Sequence, residues 1–183
     1  EYNVRADQYG GSVDNRTRFV RELIEATKDA VGETCAIALR ISLEELRARK
    51  SEHYESQAHE VVSIMADLPD LWDVKMDSSP TDCGASRFKA EGSHEPVIDF
   101  VKKVTGKPVV GVGRFTSPDT MVSQIKRGIL DFIGGARPSI ADPFLPSKIK
   151  EGRELEIREC IGCNICISSD SSSPSSFCGM KCH

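Results

Sequence analysis

Short apolar runs recur four times between Cys35 and Gly135, each separated from the next by a stretch of helical periodicity. The runs are Cys35 to Ile41, Leu71 to Met76, Lys107 to Gly113 and Ile129 to Ile133. Runs this short and this continuously apolar suit strands buried on both faces of a parallel sheet, and they lack the alternation of a half-wet strand. Between them the apolar residues fall three and four apart: Ala58, Val61, Val62, Met65 and Leu68, then Val97, Phe100, Val101 and Val104, then Met121, Val122 and Ile125. A leading helix starts at Ser12-Val13-Asp14, carries Phe19, Val20, Leu23, Ile24, Ala30 and Val31, and stops at Gly32. Such alternation requires crossover helices between parallel strands, an α/β fold.

The strands are predicted to begin near residues 36, 72, 108 and 130. That spacing is close to the βα unit of an eight-fold barrel, and four units make its C-terminal half, given the abrupt start. The alternative is a small open doubly wound sheet. Residues 168–176 are Ser-rich and read as irregular chain. The expected division is a partial (β/α) barrel over 1–152 and a cysteine-rich segment over 153–183.

Composition narrows the function classes. At 183 residues the chain suits one domain with at most a small appendage. A net charge of −4 lacks the basic footprint of a nucleic-acid binder. No window reaches the ~18 apolar residues of a membrane span. The chain opens on neither a Met nor a secretory leader, which reads as a cytoplasmic protein or a piece of one. In that compartment clustered cysteines favour metal or redox roles over disulfides.

In a (β/α) barrel, chemistry sits at the C-terminal ends of the strands. The first strand is expected to end at Arg40 and the second to run through Lys75 into a loop containing Asp82. The third ends at Gly113-Arg114 and the fourth at Gly134-Gly135-Ala136-Arg137. Two adjacent strand ends with glycines and an arginine form a phosphate cradle, because glycine lets backbone N–H groups approach an anion and arginine adds a charge-assisted contact. The bland reading is tight turns and solvated arginines. Arg40 is either a salt-bridged strand residue or a cation beside an electron-accepting ring. Asp82 is either a turn former or the orienter of a catalytic base. His53, His59 and His94 fall on polar faces or in loops and receive no role. Trp72 reads as core, and Cys35 as a small buried hydrophobe.

Five of the seven cysteines lie between Cys160 and Cys182. Cys160, Cys163 and Cys166 form a CxxCxxC loop, with a further thiol at Cys178 or Cys182. Three close cysteines and a distant one is a pattern for a four-iron, four-sulfur (4Fe-4S) cluster. Zinc more often takes two separated CxxC pairs, so zinc and no metal at all stand as the rivals.

Four stretches, YGGSVDNRTRF (9–19), PVVGVGRFTSPD (108–119), IGGARPSIADPF (133–144) and ECIGCNICIS (159–168), together resemble the old-yellow-enzyme-related flavoproteins. Within that group the resemblance is to iron–sulfur members: trimethylamine, dimethylamine and histamine dehydrogenases and 2,4-dienoyl-CoA reductase. WDV followed by GASRF leans toward the amine dehydrogenases. The resemblance implies a TIM barrel holding FMN, followed by a cluster loop. By position it implies Arg40 beside the flavin, Gly113, Arg114, Gly135, Ala136 and Arg137 at the phosphate, and Asp82 supporting a catalytic histidine. Cys160, Cys163, Cys166 and Cys178 become the cluster ligands, although CGMKCH departs from the family's pattern around the last of them. The implied activity is oxidation of a small amine at the carbon next to nitrogen, with electrons passing from FMN to the cluster and on to an electron-transfer partner. The rival direction runs from NAD(P)H to an enoyl substrate. A rival of another class is an inactive truncated product or a stand-alone metal-binding module. The family's catalytic Tyr and His would lie before residue 1, so these 183 residues alone are expected to bind FMN weakly or not at all and to be inactive. Open sheet edges leave room for pairing with another half or for a homo-oligomer.

Overall fold

Ser12 opens the first helix as the sequence predicts: its Oγ accepts the backbone N–H of Asn15 at 3.2 Å. Helix α1 (Val13–Val31) ends at Gly32, whose φ of 57° breaks the helical path. Beyond it follow β1 (Ala38–Ser42), α2 (His53–Ile64), β2 (Leu71–Lys75), α3 (Glu95–Thr105), β3 (Val109–Gly111), α4 (Pro118–Lys126), β4 (Phe132–Ile133), α5 (Ala136–Ala141) and α6 (Leu145–Lys150). The structure, a computed structural model, describes residues 3–43, 53–76, 87–163 and Cys166.

The four strands form one parallel sheet in the order β1-β2-β3-β4. A doubly wound sheet reverses its strand order at a switch point. No reversal occurs here, and the strands follow one another as consecutive units of a barrel wall. Registered pairs set the two faces: Leu39 lies beside Trp72 and Trp72 beside Val109, while Arg40 lies beside Asp73, Asp73 beside Val110 and Val110 beside Phe132.

The first of these faces is the core. Trp72, Val74 and Val109 are fully buried with Val61, Val62 and Met65 from the α2 region and Ile98 and Val101 of α3. The second face is partly open: Phe132 is 52% exposed and the Arg40 side chain 63% exposed. Parallel sheets ordinarily have both faces covered. The one-sided burial is therefore the state of a barrel wall whose lumen side is not closed by the described residues. Among those residues no helix is long and apolar enough to cross a membrane.

Three expectations need correction. β1 begins at Ala38 and runs through Arg40 to Ser42, so Arg40 sits mid-strand. A 3₁₀ turn at Gly32–Thr34 carries the chain past Cys35, which is exposed and not a buried hydrophobe. The fourth strand shrinks to Phe132–Ile133, because Ile129 and Leu130 leave the ladder to bury themselves in the core. Asp131 then turns the chain into the sheet, accepting the Val109 N–H at 2.9 Å and Lys102 Nζ at 2.7 Å.

Gly111 is where β3 can carry no side chain. A Cβ there would lie 2.5 Å from Leu130 Cδ2 and 3.0 Å from Ile98 Cδ1. Overpacking of this kind costs about 1–3 kcal/mol. Gly111→Ala is expected to lower the melting temperature by several degrees, and an unchanged melt would show that Leu130 can step aside.

Candidate functional site

The C-terminal rim of β3 and β4 gathers most of the residues singled out from the sequence. β3 runs into Val112, Gly113 and Arg114, and β4 into Gly134 and Gly135, with Ala136 and Arg137 opening α5. Gly134 donates to the Gly111 carbonyl at 2.8 Å, which sets the two strand ends side by side. Gly113 meets the loop before α3 backbone to backbone: its added Cβ would lie 3.2 Å from the Gly92 Cα, and Gly92 N–H donates to its carbonyl at 2.8 Å. Gly135 differs. Its added Cβ would make only ordinary contacts with Pro138, at 3.5–3.7 Å. Packing thus accounts for glycine at 113 and not at 135.

Arg114 is the one non-glycine residue with positive φ (59°) among those described. A left-handed backbone costs an L-residue roughly 1–2 kcal/mol, and strain of this sort concentrates at functional sites. Its guanidinium donates to the Lys89 carbonyl, tying the rim to the loop over residues 87–94. Arg137 is half-buried.

Sequence reasoning passed over His94. The structure buries it at the N-cap of α3, at the β3 end. Its imidazole is held below the ordinary histidine range chiefly by burial, with the charges of Arg137 and Lys89 acting in the same direction against a hydrogen bond to the Val112 carbonyl. Its Nδ1 is buried and has no hydrogen-bond partner among the described residues. The available signal was Pro96, which marks a helix start and so places His94 at the N-cap of α3. His59, also unassigned, stacks on Phe100 with ring centroids 3.7 Å apart.

Arg40 is separate from this rim. On the partly open face its guanidinium pairs with Asp73 at 3.3 Å, the salt bridge that was one of its two readings. Asp82 and Cys178 lie outside the described residues.

The cysteine segment is anchored on both sides of Cys160. Asp142, buried at the end of α5, accepts from Lys148 Nζ (2.6 Å), Phe144 N–H (3.1 Å) and Arg158 N–H (3.0 Å). Lys148 also donates to the Glu156 carbonyl at 2.7 Å. The Gly162 carbonyl accepts the Arg87 N–H at 3.0 Å. Cys160 is buried between these anchors, with Cys163 and Cys166 half-buried. As donors, three thiols suit an iron–sulfur cluster. Among the described residues, however, no three Cys, His, Asp or Glu side chains are gathered as a metal-holding group.

The model of the NADH:flavin oxidoreductase / NADH oxidase family matches residues 1–156. The chain belongs to that family. It is 45% identical over 170 residues to dimethylamine dehydrogenase of Hyphomicrobium sp. (strain x), covering 91% of this chain and 23% of that protein. Among solved structures it resembles 6-hydroxypseudooxynicotine amine oxidase of Pseudomonas geniculata N1 (57% identity, TM-score 0.79) and histamine dehydrogenase of Rhizobium sp. 4-9 (52% identity, TM-score 0.79). Each covers 89% of this chain, which spans 24% of theirs. The chain therefore spans about a quarter of the length of these family members.

Hydrogen bonding from Lys148, with Arg158 and Phe144 adding to it against burial, lowers the Asp142 carboxyl from 3.8 to about 2. A depressed carboxyl contributes stability above its unfolded value and loses it as pH falls through the folded one. The Phe144 and Arg158 amides are expected to stay protected from hydrogen exchange above pH 4 and to lose protection between pH 4 and 2. Asp142→Asn should remove that acid step, and a step that persists in the variant would assign it to other carboxylates.

Proposed function

We propose that this chain supplies the phosphate end of an FMN site, and the cysteine segment following it, in a flavin-dependent amine dehydrogenase. The single observation that carries the FMN part is the rim of β3 and β4, where a Cβ at Gly135 would make only ordinary contacts, so that packing does not require the glycine. The family membership and the three amine-oxidising relatives support the chemistry.

The residues present fit the phosphate of FMN. Gly113 and Gly135 leave backbone free of side-chain bulk at two neighbouring strand ends, and Arg137, the second residue of α5, supplies a half-buried cation whose charge bears on His94. FMN, when bound, supplies a hydride acceptor. Arg40 would face the acceptor ring from the lumen side of β1, where a cation stabilises added electron density. Asp82 would orient a catalytic base. A small amine is the substrate class, and Cys160, Cys163 and Cys166, with Cys178, are the thiolates offered to a 4Fe-4S cluster.

The test uses the full-length protein that contains this chain. Purified without added cofactor, it is expected to carry one FMN, to contain iron and acid-labile sulfide, and to oxidise a small alkylamine with an artificial acceptor. Reduction of its flavin by NAD(P)H with turnover of an enoyl compound, and no amine oxidation, would instead establish the reductase reading. Gly135→Ala separates site from scaffold. It should leave the melting temperature of the flavin-free protein nearly unchanged while weakening FMN binding, whereas Gly111→Ala destabilises the fold.

A further inference from the structure

The backbone at the end of β3 holds two donors that the fold does not use. Gly113 is buried and Arg114 half-buried, and neither N–H has a hydrogen-bond partner among the described residues. Backbone donors in such places are nearly always matched. Arg114 also turns left-handed here, with φ of 59°, and turns of this kind gather N–H groups into anion-binding concavities. That conformation is strained for arginine and persists only where its surroundings impose it.

The loop over residues 87–94 imposes it. Ahead of Arg114, Gly92 donates to the Gly113 carbonyl at 2.8 Å. At Arg114 itself, the guanidinium donates to the Lys89 carbonyl, so the side chain helps to hold its own backbone. Beyond it, Glu91 accepts the Thr116 hydroxyl on one carboxylate oxygen and the Ser117 hydroxyl (3.0 Å) and backbone N–H (3.3 Å) on the other. Burial works against the charged form of Glu91, but these hydrogen bonds outweigh it and hold the carboxyl below its ordinary range. A carboxylate is an acceptor on both oxygens, which is what this set of donors needs. Phe115, between Arg114 and Thr116, is buried in the core, so the turn is pinned on that side as well.

We propose that Glu91 is a positioning residue of the flavin site, holding the turn after β3 in the left-handed shape that presents the Gly113 and Arg114 N–H groups to the flavin phosphate. This inference rests on the FMN reading above. Glu91 itself touches no part of the flavin. It acts through backbone that faces the phosphate and not the ring, so it governs the affinity for FMN and leaves that for riboflavin alone.

The test titrates FMN and riboflavin, by quenching of flavin fluorescence, into full-length protein prepared flavin-free from a riboflavin-depleted host. Glu91→Gln keeps the shape of the side chain but sets an NH₂ group against donors. With the strain at Arg114 no longer opposed, about a tenth of the molecules keep the competent turn, and the Kd for FMN is expected to rise roughly tenfold with riboflavin unchanged. Thr116→Val, which removes one of the donors and leaves Glu91 in place, should shift FMN in the same direction by less, and it decides the matter if Glu91→Gln does not fold. Equal weakening of FMN and riboflavin would make the latch merely structural and overturn the proposal. Gly135→Ala runs in parallel to keep the two readings apart. If Gly135→Ala costs FMN affinity and neither latch variant does, the Glu91 proposal is overturned and the phosphate cradle stands. If none of the three changes the ratio of FMN to riboflavin affinity, both fall.

Discussion

The close approach of Gly92 to Gly113 governs the arrangement of the whole rim. A Cβ at position 113 would lie 3.2 Å from the Gly92 Cα, Gly92 itself holds a left-handed φ of 69°, and their hydrogen bond at 2.8 Å fixes the loop before α3 to the end of β3. From that contact follow the position of His94 at the start of α3, the reach of Arg114 to Lys89, and the docking of Glu91 on the α4 N-cap. A side chain at position 113 would push the loop away and scatter these groups together. The rim is a cooperative unit whose separate parts have little meaning alone.

The sheet imposes a second constraint. Its helix-covered face buries Trp72, Val74 and Val109 completely, yet the face that carries Arg40, Asp73, Val110 and Phe132 is partly open. An ion pair as exposed as Arg40–Asp73 is screened by water and contributes at most about 1 kcal/mol. Covering the same face would raise both the desolvation cost and the strength of every remaining interaction. The pair therefore makes better sense as two charges kept in register by the β1–β2 ladder than as a source of stability. Its chemical weight grows only when something apolar or aromatic lies over it.

Much of this was legible in the sequence, and the exceptions have physical causes. The four apolar runs and the helical stripes between them specify the parallel sheet, because each records which side of an element leaves water. The two glycine-arginine strand ends were legible for the same reason, since few other residues tolerate such close backbone. Cys35 was misread because an apolar neighbourhood along the chain does not register the 3₁₀ turn that swings it outward. The length of the fourth strand was misread because Ile129 and Leu130 are apolar for packing and not for pairing. His94 was missed because burial of a loop residue is decided by what folds over it, and that information lies 18 and 43 residues away, in Val112 and Arg137. Arg40 was placed at a strand end where it is mid-strand, yet the face it occupies follows from simple alternation along β1.

A six-residue helix cannot hold itself together in water, and α5 shows what replaces intrinsic stability. One end grows from Gly135 in the glycine-rich rim, and the other ends on Asp142, a buried carboxylate that would be costly if its oxygens were unmatched. They are matched by an ammonium and two backbone N–H groups, and the ammonium in turn holds the Glu156 carbonyl. The same carboxylate therefore terminates α5, orients α6 through Lys148 and fixes Arg158, two residues before Cys160. Roughly 9 Å of helix separates the glycine rim from this clip. Displacement of either end must strain or break the clip, so the rim and the approach to the cysteine loop are mechanically one piece.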